Sequence, residues 1–86
     1  MPYIKQDDRD KYEVVLNRLE TKLNGKPIGH LTYVVYRLML ARWKTNPCYT
    51  TGSGIVGALT TAIHEFMRRK LNVYEDTMIE QNGDVN

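Results

Sequence analysis

Apolar residues recur every three or four positions in three long segments of the chain, a spacing that places them on one face of an α-helix. In the first segment they are Tyr12, Val15, Leu16, Leu19 and Leu23. This repeat predicts an amphipathic helix over residues 8–24, with Asp7 or Asp8 as its N-cap. Asn24-Gly25 predicts its end, and Pro27 keeps the following connector out of helix.

The second segment carries two apolar stripes. One consists of Leu31, Val34, Val35, Leu38 and Ala41, and the other of Tyr33, Tyr36, Leu40 and Trp43. The run Leu31–Tyr36 also fits a strand, but the helical period persists for about four turns and favours a helix over residues 30–44. A helix that is apolar on two sides has to be covered on both. One side can face the first helix, and the other needs a further helix or a second subunit.

The third segment follows Pro47 and a stretch, residues 48–52, that we interpret as a loop. Ser53 is a natural N-cap for a helix over residues 54–71. Its apolar stripe is Ile55, Leu59, Ala62, Ile63 and Phe66. Asn72 and Glu75 have the spacing of a capping box and predict a short fourth helix over residues 73–81. The whole pattern predicts one all-α domain over residues 1–86, a small bundle of three main helices plus a short C-terminal helix.

The length of the chain, 86 residues, makes its stability marginal unless something is added to the core. Cys48 is the only cysteine, which excludes an internal disulfide. Together with two histidines it makes a poor metal site, so we expect no metal and no cofactor. A homo-oligomer remains as the source of stability. The start resembles no signal peptide and no apolar run is long enough to span a membrane, which predicts a cytoplasmic protein.

Charge is unevenly distributed along the chain although the net charge is only +2. Residues 25–71 carry seven basic side chains and one acidic side chain, Glu65, whereas residues 72–86 carry four acidic side chains and no basic one. Such a basic middle can attract a phosphate-bearing ligand. Alternatively, the acidic end of one copy can pair with the middle of itself or of another copy.

The stretch Gly52-Ser53-Gly54-Ile55-Val56-Gly57 matches G-x-G-x-x-G but lacks the context of a dinucleotide fingerprint. That fingerprint needs a buried strand before it and a βαβ unit around it, and 86 residues without a strand provide neither. No Gly-Lys-Ser/Thr follows, which excludes a P-loop. A glycine-rich helix start capped by Ser53 can still present backbone N–H groups to an anion. The structural alternative is a cap with glycines that serve turn geometry and close packing.

Arginine and lysine lie near aromatic side chains in the second helix, a combination that can hold a nucleobase and its phosphates. The structural alternative is aromatic core filling with solvated charges near a helix end. We predict these ligand-binding residues: Tyr33, Arg37, Trp43, Lys44, Tyr49, Thr51, Ser53, Gly54, Arg68 and Arg69.

No constellation in the sequence is typical of catalysis, so an enzyme is not expected. His64-Glu65 lacks the second histidine of a zinc protease motif. We interpret His30 as a helix-start residue, and neither histidine has the nearby serine or cysteine arrangement of nucleophilic catalysis. A reactive thiol at Cys48 is favoured only by Lys44 and by a nearby helix start.

Several segments resemble a known family. They are Met1-Pro2-Tyr3-Ile4, Leu31-Thr32-Tyr33-Val34, Ile55-Val56-Gly57-Ala58-Leu59, Glu65-Phe66-Met67-Arg68-Arg69, Tyr74-Glu75-Asp76, Ile79-Glu80 and Asn82-Gly83-Asp84-Val85. Together they resemble small uncharacterised proteins encoded by tailed phages and bacteria. The resemblance covers nearly the whole chain and departs at residues 44–54, which are longer and richer in glycine here. It implies a phage-type setting and a compact helical unit, without an activity or site residues.

Three functions fit these features. The first is a non-enzymatic oligomer that binds a small phosphate-bearing ligand, such as a nucleotide immune signal sequestered by a phage. The second is a protein-interaction module that inhibits or adapts a host protein. Nucleic-acid binding is third, because the acidic end and the modest net charge oppose it.

Overall fold

In the computed structural model, which describes residues 4–85, the chain is all-α, and the predicted fold class is confirmed. The described residues contain no strand. They form α1 (Gln6–Asp10), α2 (Glu13–Leu23), α3 (Ile28–Thr45), α4 (Tyr49–Phe66), a π-helical segment (Met67–Leu71) and α5 (Asn72–Asn82). Met1, Pro2 and Tyr3, which open the family-like motif, and Asn86 lie outside the described residues.

These helices divide into two compact units, Met1–Ile55 and Val56–Asn86, and the division falls inside α4. The first unit contains α1, α2, α3 and the first turns of α4. The second contains the rest of α4, the π-helical segment and α5.

The single helix predicted over residues 8–24 is two helices. Tyr12 has φ −101° and ψ −9°, close to the bridge region of the backbone map, and it interrupts the helical ladder between α1 and α2. Neither Asp7 nor Asp8 is the N-cap: Lys5 has that position and makes no side-chain cap bond. Both carboxylates lie in the first turn of α1, where the helix dipole favours negative charge.

Gly25 and Pro27 lie between α2 and α3, where the sequence predicts the break between two helices. Gly25 has a positive φ of 73°, a conformation that glycine adopts without steric cost, and α2 ends just before it at Leu23. Pro27 precedes α3 in extended backbone, and its carbonyl accepts the N–H of His30. The choice of helix over strand for Leu31–Tyr36 is confirmed.

The third helix begins earlier than predicted. α4 starts at Tyr49, so Ser53 is not its N-cap and the loop interpretation is wrong for residues 49–52, although Cys48 does precede the helix. The N–H of Gly52 already donates to the carbonyl of Cys48 at 3.0 Å, which is the first helical hydrogen bond after Pro47. The glycines of this stretch are therefore helical residues, although glycine is a weak helix former.

The fourth helix follows the third through a π-helical turn rather than through a capped break. Asn72 is the first residue of α5, and the preceding Leu71 has helical φ and ψ and makes no side-chain cap bond. The predicted capping box is therefore wrong. Gly83, with φ 81°, follows the last residue of α5, as the Asn82-Gly83 signal predicts.

None of the described side chains is buried, so the apolar stripes expected to form a core remain accessible. The best covered apolar side chains are only half-buried: Leu19, Leu23, Val34, Val35, Met39, Leu40, Ile55, Leu59 and Met78. In the stripe predicted for the third helix, Ile63 and Phe66 are about as exposed as surface residues, at 57% and 61%. Among residues 4–85, apolar residues at helical spacing thus lack a second layer that would cover them within their own unit.

Candidate functional site

The clearest pairing of predicted site residues is that of Tyr33 and Arg37, one turn apart on α3. The guanidinium of Arg37 donates to the Tyr33 hydroxyl at 2.7 Å. Its central carbon lies 5.7 Å from the centroid of the ring, within the range of a cation–π interaction. This contact fixes the direction of both side chains, so an aromatic face and a cation are presented together.

Tyr33 also lines an open groove of about 550 Å³ between α2 and α3 in the first unit. The lining is mostly apolar, and the residues with polar side chains are Lys22, His30 and Tyr33. This volume is within the range of small-ligand sites. The other residues of the groove are Leu19, Leu23, Gly29 and Val34.

Lys22 and His30 were absent from the sequence-predicted set. A signal for them existed in the connector: a helix that ends at Gly25 and a second that begins after Pro27 form a hairpin. In such a hairpin, residues near the end of one helix face residues near the start of the next. The interpretation of His30 as a helix-start residue is right, but its place in a groove depends on tertiary packing.

Trp43 lies against the start of α4 rather than facing solvent alone. A Cβ added at Gly52 would approach within 3.2 Å of Cζ3 of the indole, so the ring rests directly on the backbone of the first turn. The indole remains 40% exposed. Lys44 is exposed in the last turn of α3, where a cation complements the helix dipole.

The first turn of α4 is organised around Cys48. Its sulfur lies 3.4 Å from the hydroxyl oxygen of Thr51. The Thr51 hydroxyl and N–H, together with the N–H of Thr50, lower the pKa of the Cys48 thiol below its ordinary value, and partial burial opposes them. The sulfur thus takes the role of a capping acceptor toward the helix N–H groups. Tyr49 begins α4 and is 88% exposed.

Ser53 and Gly54 lie inside α4. The prediction that they form a helix start whose backbone N–H groups face an anion therefore does not apply to them. The N–H groups left without an intrahelical partner belong to Tyr49, Thr50 and Thr51. Any anion at this helix start would compete with the Cys48 sulfur, which lies next to these N–H groups. Ser53 and Gly54 are exposed, and a Cβ added at Gly54 would have open space around it.

Arg68 and Arg69 belong to the second unit and lie in the π-helical segment. Both donate to the carboxylate of Glu65 on the preceding turn, Arg68 through Nη2 and Arg69 through Nε. The Glu65 side chain is only 17% exposed. The carboxylate offsets part of the positive charge, so this cluster is less attractive to an anion than the sequence suggests.

The predicted site residues thus fall into three groups of described geometry: Tyr33 with Arg37, Trp43 with the first turn of α4, and Arg68 with Arg69 on Glu65. Among residues 4–85, no group of three or more histidine, cysteine, aspartate or glutamate side chains is arranged to hold a metal. In the same part of the chain, no helix has the length and apolarity needed to cross a membrane.

Comparison with known proteins places the chain in a family but not in a function. The sequence profile of a family described as a domain of unknown function, DUF6899, matches residues 1–85. Neither a curated protein nor a solved structure matches the chain.

Proposed function

The chain belongs to the family described as the domain of unknown function DUF6899, and on the chemistry of its own residues we propose that it is a non-enzymatic binding protein for a small phosphate-bearing ligand. The protein acts as a homo-oligomer. In the phage-type setting that the sequence resembles, the ligand is a nucleotide immune signal of the host, which the protein sequesters in the host cytoplasm.

One observation carries this proposal: the Tyr33–Arg37 pair at the edge of the groove between α2 and α3. The Tyr33 ring offers a stacking surface for a base, and stacking on an aromatic side chain is worth about 1–3 kcal/mol per base. Arg37 is a permanently charged donor with a planar fork that suits phosphate oxygens. Lys22 on the facing helix supplies a second cation to the same groove.

The charge distribution supports an anionic ligand at this place. Residues 25–55 contain Lys26, Arg37, Arg42 and Lys44 and no acidic side chain. Neither Arg42 nor Lys44 takes part in an ion pair within residues 4–55. The first unit therefore keeps positive charge that no internal carboxylate offsets in this region, and a phosphate would offset it.

Calorimetric titration of the full chain with cyclic dinucleotides, cyclic trinucleotides and ADP-ribose derivatives tests the proposal. At least one class should bind, and Tyr33→Ala or Arg37→Gln should weaken that binding by about tenfold or more. Tyr36→Ala is a matched control, because Tyr36 is on the same helix and is 56% exposed against 57% for Tyr33, yet it lies outside the groove.

Two results would overturn the proposal. One is the absence of heat with all three ligand classes at protein concentrations where the chain is folded. The other is an equal loss of binding in Tyr36→Ala and Tyr33→Ala, which would show that the groove contributes nothing specific.

A second candidate function is a protein-interaction module that inhibits or adapts a host protein. The observation that favours it is the exposure of apolar side chains along α3 and α4, since contiguous apolar surface marks interaction sites. A pull-down from host lysate that recovers one stoichiometric protein, unaffected by added nucleotides, would favour this function. Nucleic-acid binding would instead weaken steeply as salt is raised.

A further inference from the structure

One side of α3 carries a row of apolar side chains that residues 4–55 do not bury. Ile28, Leu31, Val35 and Leu38 follow one another at alternating spacings of three and four, and Arg42 continues the row. We call these five residues the α3 seam. Such spacing is that of a helix face that packs along a partner helix. Ile28 is 78% exposed and Leu38 63% exposed, whereas Val35 is half-buried.

α5 has a composition complementary to the seam. It carries Glu75, Asp76 and Glu80 and no basic side chain. Within residues 56–85 none of these carboxylates takes part in an ion pair. Two of its apolar residues, Val73 and Tyr74, are 56% and 61% exposed. Asp76 and Glu80 are one turn apart and therefore lie along one edge of the helix, beside Val73.

We propose that α5 of a second copy of this chain covers the α3 seam. Charge complementarity identifies α5 as the segment that covers the seam. α3 carries no acidic residue, so a seam packed on the seam of another copy would offer no carboxylate to Arg42. Packing on α5 of another copy brings Arg42 close to Asp76 and Glu80 while Val73 and Tyr74 cover the apolar positions.

The lack of a buried core supports the same partner. A chain of 86 residues needs added apolar burial to be stable, and no side chain among residues 4–85 is buried. Exposed charge pairs alone contribute little, so most of the gain comes from covering the seam, and the charges select the register and the partner. The inference rests on the oligomer in the proposed function and is independent of any ligand.

Charge reversal tests the contact by sedimentation without ligand. Arg42→Glu places a negative charge on the α3 seam, where it would repel the carboxylates on α5 of another copy. Asp76→Lys with Glu80→Lys places positive charges on α5, where they would repel Arg42 of another copy. Each variant should raise the dissociation constant of the assembly by about tenfold or more, because like charges meet at the contact. Circular dichroism checks that the helices are retained.

An equimolar mixture of the two variants is the decisive measurement. In a mixed assembly the reversed α3 of one copy meets the reversed α5 of the other, and the two remaining surfaces are unchanged. Association should therefore return to within about twofold of the wild type. If the mixture does not restore association, and only a single chain that carries all three substitutions does, then the contact forms within one chain and the proposal is wrong.

A second pair of variants tests the apolar part of the contact. Leu38→Gln in the seam should weaken assembly, and Tyr36→Gln, on another side of the same helix, should not. Unchanged association in Leu38→Gln and in both charge variants would overturn this contact while leaving the oligomer in place. A wild-type chain that sediments as a monomer at every concentration would overturn both the contact and the oligomer of the proposed function.

Discussion

Glycine has opposite roles in two stretches of this chain. In residues 24–29 it ends a helix: Gly25 has φ 73°, and Pro27 follows before α3 begins. In residues 50–57 the glycines continue a helix, since Gly52, Gly54 and Gly57 all lie inside α4 with negative φ. The difference shows that glycine permits a helix end without imposing one. A left-handed residue and a nearby proline impose it.

The largest effect is expected where glycine is conformationally necessary. Gly25→Ala places a Cβ in the left-handed region and should lower the free energy of unfolding by about 1–2 kcal/mol. Chemical denaturation at one fixed protein concentration measures it, because assembly changes the apparent stability. Gly29→Ala is the control from the first turn of α3: its φ is not positive, and a Cβ there meets nothing within 4 Å. Equal losses in the two variants would contradict the role given to Gly25.

The second largest effect is a gain in stability rather than a loss. Gly54→Ala adds a good helix former inside α4, and the added Cβ has nothing within 4 Å. The free energy of unfolding should therefore rise by about 0.5–1 kcal/mol. A fall instead would show that another helix, from a second copy, approaches α4 closely enough to exclude a methyl group.

Gly52→Ala should give a smaller gain than Gly54→Ala. The helix propensity gained is the same, but the new Cβ would lie 3.2 Å from the Trp43 ring, which has to move by a few tenths of an ångström. Trp43 is the only tryptophan, so its fluorescence reports that movement directly. Its emission should change in Gly52→Ala and stay constant in Gly54→Ala. The same emission in both variants would mean that the indole does not rest on Gly52.

The helices themselves were predictable because their signals are local. The apolar period, Gly25, Pro27 and Gly83 act within a few residues, and each predicted boundary that depends on them is close to the observed one. Two of the cap assignments, Ser53 and Asn72, were wrong because a polar residue after a glycine or a leucine resembles a cap in sequence, whereas both lie in uninterrupted helical backbone.

The candidate site was less predictable because it depends on which side chains meet. The sequence places Arg37 one turn after Tyr33, and the structure forms that pair. It does not indicate that Lys22 lines the same groove, since that requires the packing of α2 beside α3. The sequence does place Glu65 three and four residues before Arg68 and Arg69, which is the spacing of ion pairs on one helical face, and the structure forms both pairs. The predicted set names both arginines as ligand-binding residues and leaves this pairing out.

The smallest effect concerns Cys48, at the point where the glycine-rich helix begins. Its hydrogen bonds from Thr51 and Thr50 lower the pKa of the thiol, so alkylation with iodoacetamide should reach half of its maximal rate at a lower pH in the folded protein than in the denatured chain. Thr51→Val removes the hydroxyl, the largest cause, and should move that midpoint upward. Thr50→Val keeps the backbone donor and should leave the midpoint unchanged.

The lowered pKa of the Cys48 thiol also determines how the stability of the protein changes with pH. Because the native state favours the thiolate, the thiolate stabilises the folded protein, and this stabilisation is fully present above the pKa of the unfolded thiol. It is lost as the pH falls through the lower pKa of the native thiol. The stability difference between the wild type and Cys48→Ser should therefore grow as the pH rises toward about 8.5. A difference that shrinks over this interval would mean that the helix start favours the neutral thiol, and the sulfur would then not act as a capping acceptor.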